Sequence, residues 1–261
     1  MKIVNYILGV FAVVALLSCE KEEVAAVDNT GINATKSQLN TGFGGSMSQF
    51  TVMGDYLYTI DYKTLNVFYL ADAENPSLVS TINMGIGMES IFPQDNYLYI
   101  GAQDGVHVYE VTDPRSPVEV SRFEHVTSCD PVIANDNYAI ATLRGGMECG
   151  GNLTELDIIN MSEMSSPTLA YTTELTNPYG LGFSAQDANL VYVCDGYAGL
   201  KAYDISNSGN PELVLNMEDL IAVDVLSGSD NLLVVLTKSG VYQYDASDPL
   251  NLVEKSVIPV Q

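Results

Sequence analysis

The sequence predicts an all-β protein, a five-bladed β-propeller of four-stranded antiparallel blades. Three observations predict it. One strand-like unit recurs five times over most of the chain. Each copy holds about four short apolar or alternating runs bounded by Gly, Asn, Asp and Pro turns, with no clear helical period anywhere. Equivalent positions recur every 41 or 47 residues, the length of one propeller blade.

The bulk numbers agree with a packed domain. The chain has 261 residues, 47% of them in the hydrophobic class, which is enough for a real core and excludes wholesale disorder. It carries 33 Asp and Glu against 10 Lys and Arg, a formal net charge of −23. So acidic a surface repels phosphate and argues against a nucleic-acid partner.

In chain order, the first element is an address. Met1-Lys2 is followed by a 15-residue run, Ile3 to Leu17, that is apolar except for Asn5. A membrane span needs about 20 such residues, so the run fits the core of a secretory signal better, with an uncleaved anchor helix as the alternative. Leu16-Leu17-Ser18-Cys19 resembles a bacterial lipobox. That resemblance implies a signal peptide over 1–18, cleavage before Cys19 and lipid on its thiol, so that a lipid anchor is the only membrane attachment. Glu20-Lys21-Glu22-Glu23 is similar to the acidic export tag of Bacteroidota surface lipoproteins, which implies the outer membrane and its exposed face. Residues 19–45 read as the lipidated Cys and a flexible acidic tether, with a mean span of roughly 25–30 Å.

The repeats fill 46–261. Their second strands are Asp55-Tyr56-Leu57-Tyr58-Thr59, Asn96-Tyr97-Leu98-Tyr99-Ile100, Asn137-Tyr138-Ala139-Ile140-Ala141, Asn189-Leu190-Val191-Tyr192-Val193 and Asn231-Leu232-Leu233-Val234-Val235. A third strand follows each, with its last polar position read as Tyr69, Glu110, Asp157, Asp204 and Asp245. Pro-bearing turns come next, at Pro76, Pro114 and Pro117, Pro167, Pro211 and Pro249, and then an outer run starting at Leu78, Val118, Leu169, Leu213 or Leu252. A ring is favoured over an open stack because it leaves fewer exposed edges.

Val108-Tyr109-Glu110-Val111-Thr112-Asp113-Pro114-Arg115-Ser116-Pro117 is echoed by Tyr203-Asp204-Ile205-Ser206 and Tyr244-Asp245-Ala246-Ser247-Asp248-Pro249. These stretches resemble the LVIVD-repeat family of bacterial and archaeal surface proteins, which implies a β-propeller and a surface location but no agreed activity. Cys129-Asp130-Pro131, Asn177-Pro178-Tyr179-Gly180 and Cys194-Asp195-Gly196 also look like Bacteroidota lipoproteins of that family.

Propeller topology puts Cys129, at the start of an innermost strand, and Cys149, in the long second loop of the same unit, on one face. The expectation is a Cys129–Cys149 disulfide, with two free thiols as the alternative. Cys194 falls inside a strand and reads as a buried small hydrophobe.

Stepping back eight residues from the second-strand Tyr or Leu gives Ser48, Glu89, Asp130 and Asp224, with Gly182 taken as the fourth unit's equivalent. These positions line the channel mouth. Gathered carboxylates raise one another's pKa or recruit a cation, so Glu89, Asp130 and Asp224 are candidate ligands for Ca²⁺ or a cationic group. A hydrated polar lining is the alternative. Tyr179, Tyr197 and Arg144 share that face, and exposed Tyr suits recognition. There is no Gly-x-Ser-x-Gly elbow, no zinc spacing and no Trp platform for sugars. The sequence therefore points to a binding or scaffold module for a protein, peptide or glycan. An enzyme acting on an extracellular polymer through the mouth carboxylates is the second reading.

Overall fold

Apolar alternation along the repeats becomes strand after strand, each presenting one face to the blade before it and one to the blade after it. The structure is a computed structural model; it describes residues 45–125, 131–146, 150–207 and 209–260. The first blade holds β1 (Phe50–Met53), β2 (Tyr56–Ile60), β3 (Thr64–Tyr69) and β4 (Ser77–Asn83). The second holds β5 (Met88–Gln94), β6 (Tyr97–Ala102), β7 (Gly105–Glu110) and β8 (Val118–Glu124). The third holds β9 (Val132–Ala134), β10 (Tyr138–Gly146), β11 (Gly150–Asn160) and β12 (Thr168–Glu174). The fourth holds β13 (Leu181–Phe183), β14 (Leu190–Cys194), β15 (Leu200–Asp204) and β16 (Glu212–Met217). The fifth holds β17 (Ala222–Ser227), β18 (Leu232–Thr237), β19 (Gly240–Asp245) and β20 (Val253–Pro259). Each blade is a four-stranded antiparallel meander in chain order, so the five-bladed propeller stands as the sequence predicts.

The core is divided among the blade-to-blade joins. Tyr58, Ile60, Leu65 and Val67 of the first blade pack on Ile91, Leu98 and Ile100 of the second, and three further clusters repeat the arrangement down the stack. The second Tyr of Tyr-Leu-Tyr adds a polar staple. Tyr58 Oη donates to Pro114 O at 2.9 Å and Tyr192 Oη to Pro249 O at 2.8 Å. In each case a buried ring reaches the Pro-bearing turn of the following blade. Tyr99 sits equivalently, with its Oη 3.8 Å from Met164 Sδ. Burial pushes the Tyr192 phenol up to about 12, so it stays a donor at any physiological pH.

The join between the last blade and the first differs from the other four. Register places Phe50, Ile91, Val132, Leu181 and Val225 at one position on the innermost strands. Their relative exposures are 58%, 0%, 0%, 0% and 2%. The innermost strands pack consecutively, β1 with β5, β5 with β9, β9 with β13 and β13 with β17, and no comparable packing sets β17 on β1. The blade count is the predicted one, whereas the fifth join is open.

Register also corrects the repeat alignment. Tyr138 pairs with Asn160, as Leu190 pairs with Asp204 and Leu232 with Asp245. The last polar position of the third unit is therefore Asn160 rather than Asp157, because the β10–β11 hairpin is extended. Asn160, Asp204 and Asp245 each accept the N–H two residues on, closing an Asx turn at the foot of the strand.

The open join generates a stability contrast. Leu181→Ala should cost about 2–5 kcal/mol, since it empties a closed apolar site. Phe50→Ala removes a larger side chain from the equivalent position, yet should cost under about 1 kcal/mol. Urea denaturation of the two variants beside the parent checks the pair, and equal losses would mean that Phe50 is covered.

Candidate functional site

The segments leading into the innermost strands and the hairpin loops β2–β3, β6–β7, β10–β11, β14–β15 and β18–β19 meet on one face. Its best-anchored part is the fourth blade. Asp195 is fully buried and accepts N–H groups from Thr176 at 2.8 Å and Asn177 at 2.7 Å, while Lys201 Nζ lies 2.5 Å from its Oδ2. One carboxylate thus ties the loop before β13 to the β14–β15 hairpin. The hairpin turns at Gly196, where φ is +53° and a Cβ would sit 2.8 Å from Asn177 Nδ2, so only glycine fits. Two aromatic residues are presented by this clamp. Tyr179 lies under Arg144, with the guanidinium carbon 4.2 Å from the ring centroid, and Thr142 Oγ1 donates to Tyr179 O at 2.5 Å. Tyr197 projects from the hairpin tip, 64% exposed, with Lys238 Nζ 4.8 Å from its ring centroid and 3.0 Å from its hydroxyl. Such cation–aromatic pairs hold both partners in place at modest energy.

Arg144 also borders a cleft of about 340 Å³ with Met47, Tyr62, Met88, Glu89 and Pro131. Glu89 Oε1 accepts from Gln103 Nε2 at 3.1 Å. Arg144, Tyr179 and Glu89 therefore share a neighbourhood, and Tyr197 projects from the β14–β15 hairpin beside it.

The proposed carboxylate ring is less regular than its spacing implies. Val52 pairs with Leu57 and Pro93 with Leu98, but Phe183 pairs with Val191 and Ser227 with Leu233. The fourth turn is thus three residues longer and the fifth one longer. Gly182 consequently matches Phe92, and Tyr179 is the residue that corresponds to Glu89. Asp224 matches Ser90, one position from Glu89's equivalent. Ser48 turns its hydroxyl to Phe50 O at 2.8 Å. Asp224 points inward, its Oδ2 3.2 Å from the place of a Cβ on Gly45. A Cβ on Gly180 would overlap its Oδ1, so any side chain there would have to displace the Asp224 carboxylate. Burial pushes the Asp224 carboxyl up to about 6, opposed only partly by the Val225 N–H donated at 3.0 Å.

The stretch Gly45–Ser48 crosses the axis beside Asp224. Ser46 is buried and its Oγ accepts the Leu181 N–H at 2.8 Å. Beyond it an axial cavity of about 430 Å³ runs between Phe92, Ile133, Phe183 and Leu226. Sequence reading missed Ser46, because a serine before the first strand has no periodic signal. It also missed the Asp195–Lys201 clamp, although Cys194-Asp195-Gly196 stood out as a motif.

Cys19, Cys129, Asp130 and Cys149 lie outside the described residues, as do the lipidation, the tether, the disulfide and one member of the Ca²⁺ set. Among the described residues no three His, Cys, Asp or Glu side chains gather as a metal site. Cys194 is free and buried in β14.

Comparison with known proteins supports the repeat and the fold. The LVIVD repeat family matches residues 89–125 and 188–219, which are the second blade and much of the fourth. No curated protein matches the chain. A protein from Lactobacillus plantarum superposes with a TM-score of 0.65 at 15% identity, over 80% of this chain and 74% of that one. The periplasmic gluconolactonase of Pseudomonas aeruginosa gives 0.62 at 12% identity, over 79% and 68%. Sqt1 of Chaetomium thermophilum, bound to the N-terminus of ribosomal protein L10, gives 0.53 at 13% identity, over 77% and 58%. At such identities the likeness is one of fold.

The two inward aspartates should respond oppositely to neutralisation. Asp195→Asn leaves Lys201 without its counter-charge and should cost about 3 kcal/mol by denaturant unfolding. Asp224 binds its proton more tightly folded than unfolded, so its contribution is complete below pH 4 and is lost as pH rises through about 6. Asp224→Asn should therefore leave stability nearly unchanged at pH 4 and raise it by roughly 3 kcal/mol at pH 7. A variant no more stable than the parent at pH 7 would contradict the raised pKa.

Proposed function

We propose that the chain is a binding module or scaffold, held by lipid on Cys19 at the outer membrane with its propeller outside the cell, and that it takes a protein, peptide or glycan on the face carrying Arg144, Tyr179 and Tyr197. The observation that carries this reading is the Asp195 clamp, which fixes an exposed Tyr and a cation–aromatic pair before any partner arrives. Preorganised aromatic contacts of that kind give affinity because little entropy remains to be lost on binding. The LVIVD match and the propeller neighbours support the same class of protein. Among the described residues no helix is long and apolar enough to cross a membrane. The anchor is read from the Leu16-Leu17-Ser18-Cys19 pattern. An enzyme acting on an extracellular polymer through the mouth carboxylates is the second reading; of the described ones, Glu89 accepts from Gln103 and Asp224 lies against Gly45.

Two measurements test the proposal. Cys19→Ala should abolish metabolic labelling with a radioactive fatty acid and release the chain from the membrane fraction. Fluorescently labelled protein should bind a subset of a peptide and glycan array, and Tyr197→Ala with Arg144→Ala should weaken that binding at least about tenfold. Signals indifferent to both substitutions would remove this face from the reading.

A further inference from the structure

We infer that the open join is a docking surface for a second copy of this chain, met head to tail, with the fifth blade of one copy on the first blade of the next. The uncovered face of the first blade presents Phe50, Val52, Leu57 and Phe68. That of the fifth presents Leu226, Val234, Leu236 and Val241. Leu226 and Leu236 are 44% and 41% exposed, whereas Ile60, Thr142 and Cys194, which match Leu236 by register, are 6%, 0% and 0%. Tyr58, Tyr99, Ile140 and Tyr192, which match Val234, are all buried.

Three features select a second copy as the occupant. The two free faces are unlike halves of a join that the chain makes four times. One is a face that elsewhere meets the preceding blade, the other a face that elsewhere meets the following blade. Another copy supplies both halves in the order in which the chain already stacks. The centres of both faces are also neutral. Phe50, Val52, Leu57, Thr59, Asn66 and Phe68 carry no charge on one side. On the other, Leu226, Val234, Leu236, Val241 and Gln243 lie between Asp224, at the start of β17, and Asp245, which pairs with Lys255 at 3.0 Å. In a chain of net charge −23 a neutral centre marks a face suited to cover. Finally, joining unlike faces is a heterologous contact, so one contact suffices to pair two copies and leaves a free face at each end.

Sedimentation velocity of the full chain in detergent, from about 1 to 100 µM, tests the inference. The parent should associate as concentration rises, and more strongly at higher salt, because salt screens repulsion between acidic copies. Phe50→Glu and Leu236→Glu should each weaken association at least about tenfold. Leu213→Glu, an equally exposed position on an outer strand, should not. Association through the leading apolar segment is common to all these chains and drops out of the comparison. Phe50→Glu keeps the fifth-blade face and Leu236→Glu keeps the first-blade face, so a mixture of the two should form dimers and stop there. Leu226→Glu replaces Leu236→Glu if circular dichroism shows the latter misfolded. A parent monomeric throughout the range, a Leu213→Glu chain as weakened as the others, or a mixture that stays monomeric would each overturn the inference.

Discussion

Every other feature of this protein depends on a single contact, the apolar packing of one blade's following face on the next blade's preceding face. A lone four-stranded blade buries neither face, so it gains little until a neighbour arrives. The alternation in each strand serves both faces at once. Ile140 of β10 turns to the fourth blade while Ala139 and Ala141 turn to the second. Stability is therefore a property of joins. The joins also hold the buried tyrosines, Tyr58, Tyr99, Tyr109, Tyr192, Tyr203 and Tyr244.

The same contact explains what was legible in the sequence. A join needs apolar residues at fixed positions in every copy, so the repeat, the strand count and the blade boundaries could be read directly. Tyr-Leu-Tyr was visible as a motif, but its purpose was not, because the Pro-bearing turn that Tyr58 reaches lies 56 residues away. Turn length escaped for a related reason. Turns make no join, so nothing in the pattern fixes their number of residues. The longer turns before Val191 and Leu233 slid the fourth and fifth units out of the assumed alignment, and the extended β10–β11 hairpin displaced Asp157 from the place held by Asn160. Topology alone determines the face on which Glu89, Tyr179 and Arg144 lie. The pairing of Arg144 with Tyr179 depends on side-chain direction and needed coordinates.

The open join was beyond sequence reading altogether. Phe50 is as apolar as Ile91, Val132, Leu181 and Val225, and by pattern it belongs to the core. Only the placement of the first blade relative to the fifth reveals that its counterpart face is elsewhere. Apolarity records that a face is meant to be covered, and it is silent on what covers it.

Two inward aspartates show how the stack divides rigidity from tension. Asp195 holds a cation and two backbone N–H groups, so its charge organises a loop pair and is compensated where it stands. Asp224, at the axis, accepts the Val225 N–H and otherwise lies against the glycine backbones of Gly45 and Gly180. Its charge is poorly solvated and its pKa rises accordingly. The difference follows from position in the blade. Asp195 begins a hairpin that projects from the stack, where Lys201 can swing to meet it. Asp224 sits on an innermost strand beside a bulge, against the backbones of Gly45 and Gly180. The rim is thus built to stay fixed, and the axis carries a group whose charge the fold only partly accommodates.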